Sequence, residues 1–222
     1  MKILLVAATR AEVEPLLNPL QRIRPDIAVE VLITGVGMVA TAFALGKQLS
    51  LNQYDLAINV GIAGSFDFNL PLGEVVLITE DIFSEQGAED GESFLPLQEL
   101  GFGGTEFYGT SLNELTASDF GLLTNSLQKL KTVKAITVNK VHGHELSIEK
   151  TLSRFTAQVE SMEGAAFFYA CKQTKTPCLQ IRAISNYVER RNKEKWNIGL
   201  AVKNLHKFVA DLFDLPKTSN LL

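Results

Sequence analysis

Residues 158–164 read QVESMEG, and residues 182–189 read RAISNYVE. The first stretch sets Glu160 and Glu163 just ahead of a small-residue run, Gly164-Ala165-Ala166, that suits the start of a helix. The second ends an apolar strand on a polar pair, Ser185-Asn186. A third acid, Glu12, follows the apolar run KILLVAA at 2–8. Paired carboxylates can divide general-acid and general-base work, and in a sugar hydrolase they invite a glycoside-hydrolase reading. An amide offers one acceptor and two donors at a fixed end of the chain. Plainer readings stand beside these: an acid at a helix start is favoured by the helix dipole, and an Asn after a strand forms turns.

These residues need a scaffold that brings strand ends together. Short apolar runs alternate with helical patterns along the chain. Strands are expected at 2–8, 27–34, 55–61, 73–83, 134–141, 157–161 and 178–185. Helices are expected after the first strand (AEVEPLL) and at 37–49, 119–130, 162–175 and 192–213, with 84–118 mostly loop. This alternation predicts one α/β domain over 1–222, a three-layer α/β/α sandwich around a central mixed, largely parallel sheet. In such sheets ligands bind beyond the carboxyl ends of the strands. Standing there are Ala8 to Glu12, Gly35 to Gly37, Gly61 to Ser65 (with Ala63 and Gly64), Asn139 to Gly143, Glu160 to Glu163, and Ser185-Asn186. No Walker or dinucleotide fingerprint occurs.

Composition narrows the class. The 222 residues are 46% apolar and 21% charged with a net charge of −4, and no basic run is present. Neither nucleic acid nor an anionic membrane surface is the expected partner. Two cysteines, Cys171 and Cys178, fit apolar fillers in a reducing compartment better than a disulfide framework. The N-terminal apolar run is too short for a signal peptide, and nothing approaches membrane-spanning length, so a cytoplasmic protein is expected.

The blocks MKILLVAATRAEVEPL, TGVGMVATA, NVGIAGSF and VESMEGAAFFYAC, then IRAISNYVERRN with WNIGLAV, resemble the purine nucleoside phosphorylase and nucleosidase superfamily. The likeness runs through nearly the whole chain. Its nearest branch holds methylthioadenosine/S-adenosylhomocysteine nucleosidase and futalosine hydrolase, and the last three blocks are similar to the latter. The resemblance implies hydrolysis of a nucleoside's N-glycosidic bond, with futalosine as substrate, hypoxanthine as leaving base and menaquinone synthesis as setting. It further implies no cofactor, no metal, and a homo-oligomer, a dimer favoured, whose sites border the neighbouring subunit.

Residue by residue, the resemblance matches Glu12 to the acid that orients the attacking water, and Met162-Glu163 to the pair beneath the ribose. Asn186 takes the place facing purine N7, which is Asp in the adenine-releasing relatives. The spacing departs by one residue between Glu160 and Glu163, so the assignment of Glu163 rests on the Met-Glu-small pattern. The chemistry agrees. Cleavage leaves a cationic sugar carbon and an anionic purine; charged hydrogen bonds from a carboxylate to the sugar are worth roughly 1.5–3 kcal/mol each. An acid that takes the water's proton contributes a factor of about 10²–10⁴. An amide can accept from N7–H and donate to an oxygen at C6, which favours a 6-oxopurine over a 6-aminopurine. Phosphorylases of the superfamily carry an Arg and a Ser where this chain has Asn59 and Ile62. A phosphate oxyanion loses its bidentate partner there, so water is the expected nucleophile.

Further binding candidates are Gly37, Ala63, Gly64, Met162, and Val141 with His142, which stand where relatives stack an apolar residue on the base. Arg182 either orients an acid or forms a structural ion pair. Phe66, Phe94 and Phe107 are placed to cover an aromatic tail, and Arg190 or Arg191 to meet its carboxylate. His142 and His144 have metal-like spacing without an evident third ligand, so no metal is expected. The competing functions are a methylthioadenosine-type nucleosidase, disfavoured by Asn186, and a non-catalytic nucleoside-binding module, disfavoured by the intact Glu12 and Glu163.

Overall fold

The computed structural model describes residues 1–21, 26–116 and 120–215. The first apolar run forms β1 (Lys2–Ala7), which pairs in parallel with both β2 (Ala28–Ile33) and β3 (Leu56–Ser65). Between and after these come α1 (Leu17–Leu20), α2 (Met38–Leu51), β4 (Val75–Phe83), β5 (Gly87–Asp90), β6 (Ser93–Pro96), β7 (Glu106–Tyr108), α3 (Leu112–Thr116) and α4 (Gly121–Leu127). The chain continues through β8 (Lys131–Thr137), α5 (Glu145–Arg154), β9 (Val159–Ser161), α6 (Gly164–Thr174), β10 (Cys178–Tyr187) and α7 (Ile198–Leu212).

β1 is apolar at nearly every position because both of its faces are covered. Ile3, Leu5 and Ala7 pack in one cluster with Ala201, Leu205 and Val209 of α7. Leu4 and Val6 pack in the other with Leu45 and Leu49 of α2 and Ala165 to Phe168 of α6. Complete burial is worth about 1.5–3 kcal/mol for each Leu, Ile or Val, so β1 is anchored from both faces.

The central sheet is mixed and largely parallel, as the sequence pattern predicts. Parallel pairs join β1–β2, β1–β3, β3–β10, β4–β8 and β8–β9, while β10–β4, β3–β9 and β4–β7 run antiparallel. The pairings also close on themselves. β10 lies between β3 and β4, and β4 leads through β8 and β9 back to the far end of β3 at Gly64 and Ser65. The strand ends therefore crowd around one point.

Several elements differ from expectation. Within 84–116 the chain forms the β5–β6 hairpin, β7 and α3 rather than loop; residues 117–119 lie outside the described part. α5 was not anticipated. The helix expected after β1 is two short 3₁₀ turns and α1, broken up by Pro15 and Pro19. β8 stops at Thr137 because its partners end there: β4 at Phe83 and β9 at Ser161. The long closing helix splits into a 3₁₀ turn, Lys193–Lys195, and α7. Trp196 between them is extended, and the Asn197 side chain caps α7 by accepting from Leu200 N.

Candidate active site

A cleft of about 270 Å³ opens where β1, β3, β9 and β10 end. Glu12, Ala63, Gly64, Val141, His142, Met162, Glu163 and Asn186 all line it. Gly37, Arg182 and Arg191 do not line it, and each stands one layer back.

Glu12 sits on the 3₁₀ turn that follows β1. The Thr9 N–H and hydroxyl donate to its Oε2 at 2.8 and 2.9 Å, and the Ile62 N–H donates to its Oε1 at 3.3 Å. Behind it the His206 ring of α7 donates from Nε2 to the Ala11 carbonyl at 3.2 Å. Burial pushes the His206 pKa below its usual value, which keeps this ring neutral near pH 7. Gly61 leaves open the space beside Glu12: a Cβ there would lie 3.0 Å from Glu12 Oε1 and 2.1 Å from Arg182 Nη1.

Glu163 is the residue just before α6, where the helix dipole favours a carboxylate. Its Oε1 accepts from the Gly37 N–H at 3.0 Å. Gly37 presents that N–H from φ +95°, a conformation that favours glycine. Glu163 Oε2 faces Arg182 Nη2 at 3.9 Å. Arg182 is fully buried and donates to the side-chain carbonyls of Asn59 and Gln180. Gln180 in turn donates to Asp81 Oδ2 at 2.9 Å, and Thr137 donates to Asp81 Oδ1 at 2.8 Å. The Thr137 hydroxyl oxygen then accepts the N–H of Ala165, in the first turn of α6, at 2.7 Å. Both sequence alternatives for Arg182 meet here: it belongs to a buried polar chain, and that chain holds the helix start that carries Glu163.

Asn186 follows a β-bulge. Ile184 pairs with Ala63 and Asn186 with Gly64, so Ser185 has no partner in β3. Such bulges re-aim a side chain at the end of a strand. The Ser185 hydroxyl lies 2.8 Å from Asn186 Oδ1 and 3.1 Å from the Ala63 carbonyl, and Asn186 Nδ2 donates to the Tyr187 carbonyl at 3.1 Å. The Tyr187 carbonyl can only accept, so it sets the NH₂ end of the amide and leaves one N–H and an Oδ1 lone pair to offer.

The remaining candidates sort unevenly. Glu160 is buried in the cleft wall against His142, its Oε1 accepting the His142 N–H at 3.0 Å and its Oε2 lying 2.6 Å from Nδ1. His142 Nε2 meets Thr151 Oγ1 at 2.9 Å, so both ring nitrogens have partners. Among the described residues, no three His, Cys, Asp or Glu side chains gather as a metal-sized cluster. Phe107 is no cover for a ligand. It is buried in β7, edge-on to Phe83 and Tyr169. Phe94 stacks under Arg154, while Phe66 packs edge-on to His142 beside the cleft. Arg191 lies over the ring of Trp196, which itself lines the cleft. Thr9, Asp81, Thr137, Gln180 and His206 were not anticipated from the sequence. The signal for Asp81 and Gln180 was present, as a polar residue inside each of two apolar strands.

Against known proteins, the model of the family described as "Phosphorylase superfamily" matches residues 26–214. Futalosine hydrolase of Thermus thermophilus is 30% identical over 82% of this chain and 79% of its own length. The chain belongs to the phosphorylase superfamily, in its futalosine hydrolase branch. Among solved structures, the 5'-methylthioadenosine/S-adenosylhomocysteine nucleosidase of Colwellia psychrerythraea, in complex with adenine, superposes with a TM-score of 0.77. The identity is 24%, covering 96% of this chain and 95% of that one. Futalosine hydrolase of Helicobacter pylori gives a TM-score of 0.78 at 16% identity, covering 96% and 97%. These two likenesses establish the fold.

The polar chain behind Glu163 has a pH signature. Burial raises the Asp81 carboxyl to about 6 from an ordinary 3.8, against the hydrogen bonds from Gln180 and Thr137 and the charge of Arg182. A folded-state pKa above the unfolded one adds stability that is complete below the unfolded pKa and is lost as pH rises through the folded one. Lowering the pH from 7.5 to 5 is therefore expected to stabilise the wild type, relative to Asp81→Asn, by on the order of 1 kcal/mol. Urea unfolding of both proteins at the two pH values measures this. A difference that stays flat with pH would mean that Asp81 titrates normally.

Proposed function

We propose that this protein hydrolyses the N-glycosidic bond of futalosine, releasing hypoxanthine and dehypoxanthine futalosine, in the cytoplasm and without cofactor or metal. One observation carries this reading: Glu12, Glu163 and an orientation-locked Asn186 converge on a single cleft. Glu163 would accept from the sugar hydroxyls, and Met162 would pack beneath the ring. Glu12, held by the N–H groups of Thr9 and Ile62, would orient the water and take its proton. Asn186 would accept from N7–H with its spare lone pair and donate to O6 with its spare N–H. Val141 and His142 would flank the base, Ala63 and Gly64 would floor it, and Arg191 would reach the carboxylate tail past Trp196. We read the helices on both faces of the sheet as the three-layer sandwich of this family.

Asn59 supports water as nucleophile, since its side chain is already engaged by Arg182. Cleavage of futalosine is thus expected to run equally fast with and without phosphate, releasing free base and a sugar with no phosphate attached. Glu12→Gln and Glu163→Gln are each expected to fold and to lose at least about two orders of magnitude in turnover. A sugar 1-phosphate product, or near-normal turnover in either variant, would remove the assignment.

The second enzymatic reading, an adenine-releasing nucleosidase, is favoured by the likeness to the Colwellia nucleosidase and opposed by Asn186. Asn186→Asp replaces a donor and acceptor with acceptors alone, so its carboxylate would face O6 with no proton between them. The loss for futalosine is expected to be roughly 2–4 kcal/mol, or about 30- to 1000-fold in kcat/KM. The 6-amino analogue should gain relative to futalosine. An unchanged ratio would show that Asn186 does not read the base.

The partner expected beyond a small nucleoside is a second copy of this chain. Val39 and Phe43, one turn apart on α2, are 78% and 76% exposed beside the Gly35–Gly37 loop. Sedimentation of the wild type is expected to show a dimer, and Phe43→Glu to shift it toward monomer. A monomeric wild type at micromolar concentration would exclude the homodimer.

A further inference from the structure

We infer that Glu160 is a specificity residue that accepts the N1–H of a 6-oxopurine, opposite Asn186 across the floor of the cleft. The inference rests on the proposed 6-oxopurine reading and assigns an acid whose role that reading leaves open.

Register carries the placement. Gly64 of β3 pairs with Asn186 of β10 on one side and with Glu160 of β9 on the other. Residues paired across strands point to the same face of a sheet. Neighbouring strands lie about 4.8 Å apart, so the row sets the two outer backbones roughly 10 Å apart with a glycine between them. A Cβ on Gly64 would lie 2.9 Å from Val188 Cγ2, 3.1 Å from Asn186 Nδ2 and 3.6 Å from Glu160 Cγ, so the glycine lets these three side chains close in around it. Gly64, Asn186 and Glu160 all line the same cleft. A flat bicyclic ring bound in that cleft can present one edge to Asn186 and another to Glu160.

Chemistry decides what Glu160 can read. A carboxylate has about four acceptor positions and no donor. The His142 N–H and Nδ1 occupy one on each oxygen, and Thr151 on the far nitrogen holds the ring in place. An acceptor remains on each oxygen, on a side chain that is 97% withdrawn from solvent. N1 of a 6-oxopurine carries a proton and can donate to it. N1 of a 6-aminopurine is a bare lone pair and would oppose it. Asn186 would distinguish the two bases at position 6, and Glu160 would distinguish them again at N1. A role confined to anchoring His142 would leave base preference unaltered.

Two measurements test this. In the wild type, hypoxanthine is expected to bind at least about tenfold more tightly than 1-deazahypoxanthine, which replaces N1–H by C–H without added bulk. In Glu160→Gln, the ratio of kcat/KM for futalosine to that for its 6-amino analogue is expected to fall at least about tenfold. A side-chain amide can turn its NH₂ toward a bare N1, whereas a carboxylate cannot. Equal binding of the two free bases, or an unchanged ratio in a folded Glu160→Gln protein, overturns the inference. If that variant does not fold, the base-binding comparison decides alone. Failure of the proposed function looks different: the wild type would release no base from futalosine, whatever the two bases do.

Discussion

The site depends on burying one guanidinium. A charge like that of Arg182 costs several kcal/mol to withdraw from water unless its donors are satisfied and opposite charge stands nearby. Asn59 and Gln180 accept from it, Glu163 faces it, and Gln180 passes the connection to Asp81 and Thr137. Four strands are thereby tied through side chains, and the backbone N–H of Ala165 joins the first turn of α6 to them. The pairing ring of the sheet sets where these strands lie, and the polar chain sets how α6 enters. Glu163, one residue before that helix, inherits its position from both. Positioning of this kind, fixed before substrate arrives, is what makes electrostatic stabilisation effective at the moment of bond cleavage.

Three buried carboxylates around one cleft would repel each other if left bare. Each is given N–H donors instead: Thr9 and Ile62 for Glu12, Gly37 for Glu163, and His142 for Glu160. These donors are backbone groups in turns or, for Ile62 of β3, beyond the point where pairing with β1 has stopped, so their N–H groups are free to meet a carboxylate. Irregularity at the strand ends is thus the source of the site's electrostatics. The bulge at Ser185 works the same way. It costs β10 one ladder partner, and in return its hydroxyl orients Asn186 while its carbonyl accepts the Asn197 N–H that starts α7.

Much of this was legible in the sequence because it is written in local pattern. Apolar alternation located the seven main sheet strands, and the acids and amide stood where those strands stop. What escaped was set by tertiary context. The short strands β5 to β7 carry too little apolar pattern to distinguish from loop. Pro15 was visible, yet a helical reading of AEVEPLL ran through it. Asp81 and Gln180 each interrupt an apolar strand, and the interruption was readable, but their partnership spans 99 residues and no spacing rule reaches that far. Phe107 shows the converse error. In a stretch read as loop it looked free to cover a ligand, whereas β7 pairing with β4 turns it into the core.

The choice of nucleophile follows from the same buried charge. Phosphoryl oxyanions are held best by bidentate cations, and a cationic side chain is present near the cleft in Arg182. It is buried in the scaffold, where its Nε and Nη2 donors go to Asn59 and Gln180 and its charge is turned toward Glu163. The Ile62 N–H, a second donor an anion could use, goes to Glu12, and the Ile62 side chain adds apolar surface to the cleft. An arriving phosphate would therefore meet the Glu12 carboxylate at close range, and among the described residues no Lys or Arg lines the cleft to offset it. Water carries no charge to repel, and it can donate to Glu12 as attack begins. Assigning the arginine to the scaffold rather than to a ligand is what makes a phosphorylase-type fold suited to hydrolysis.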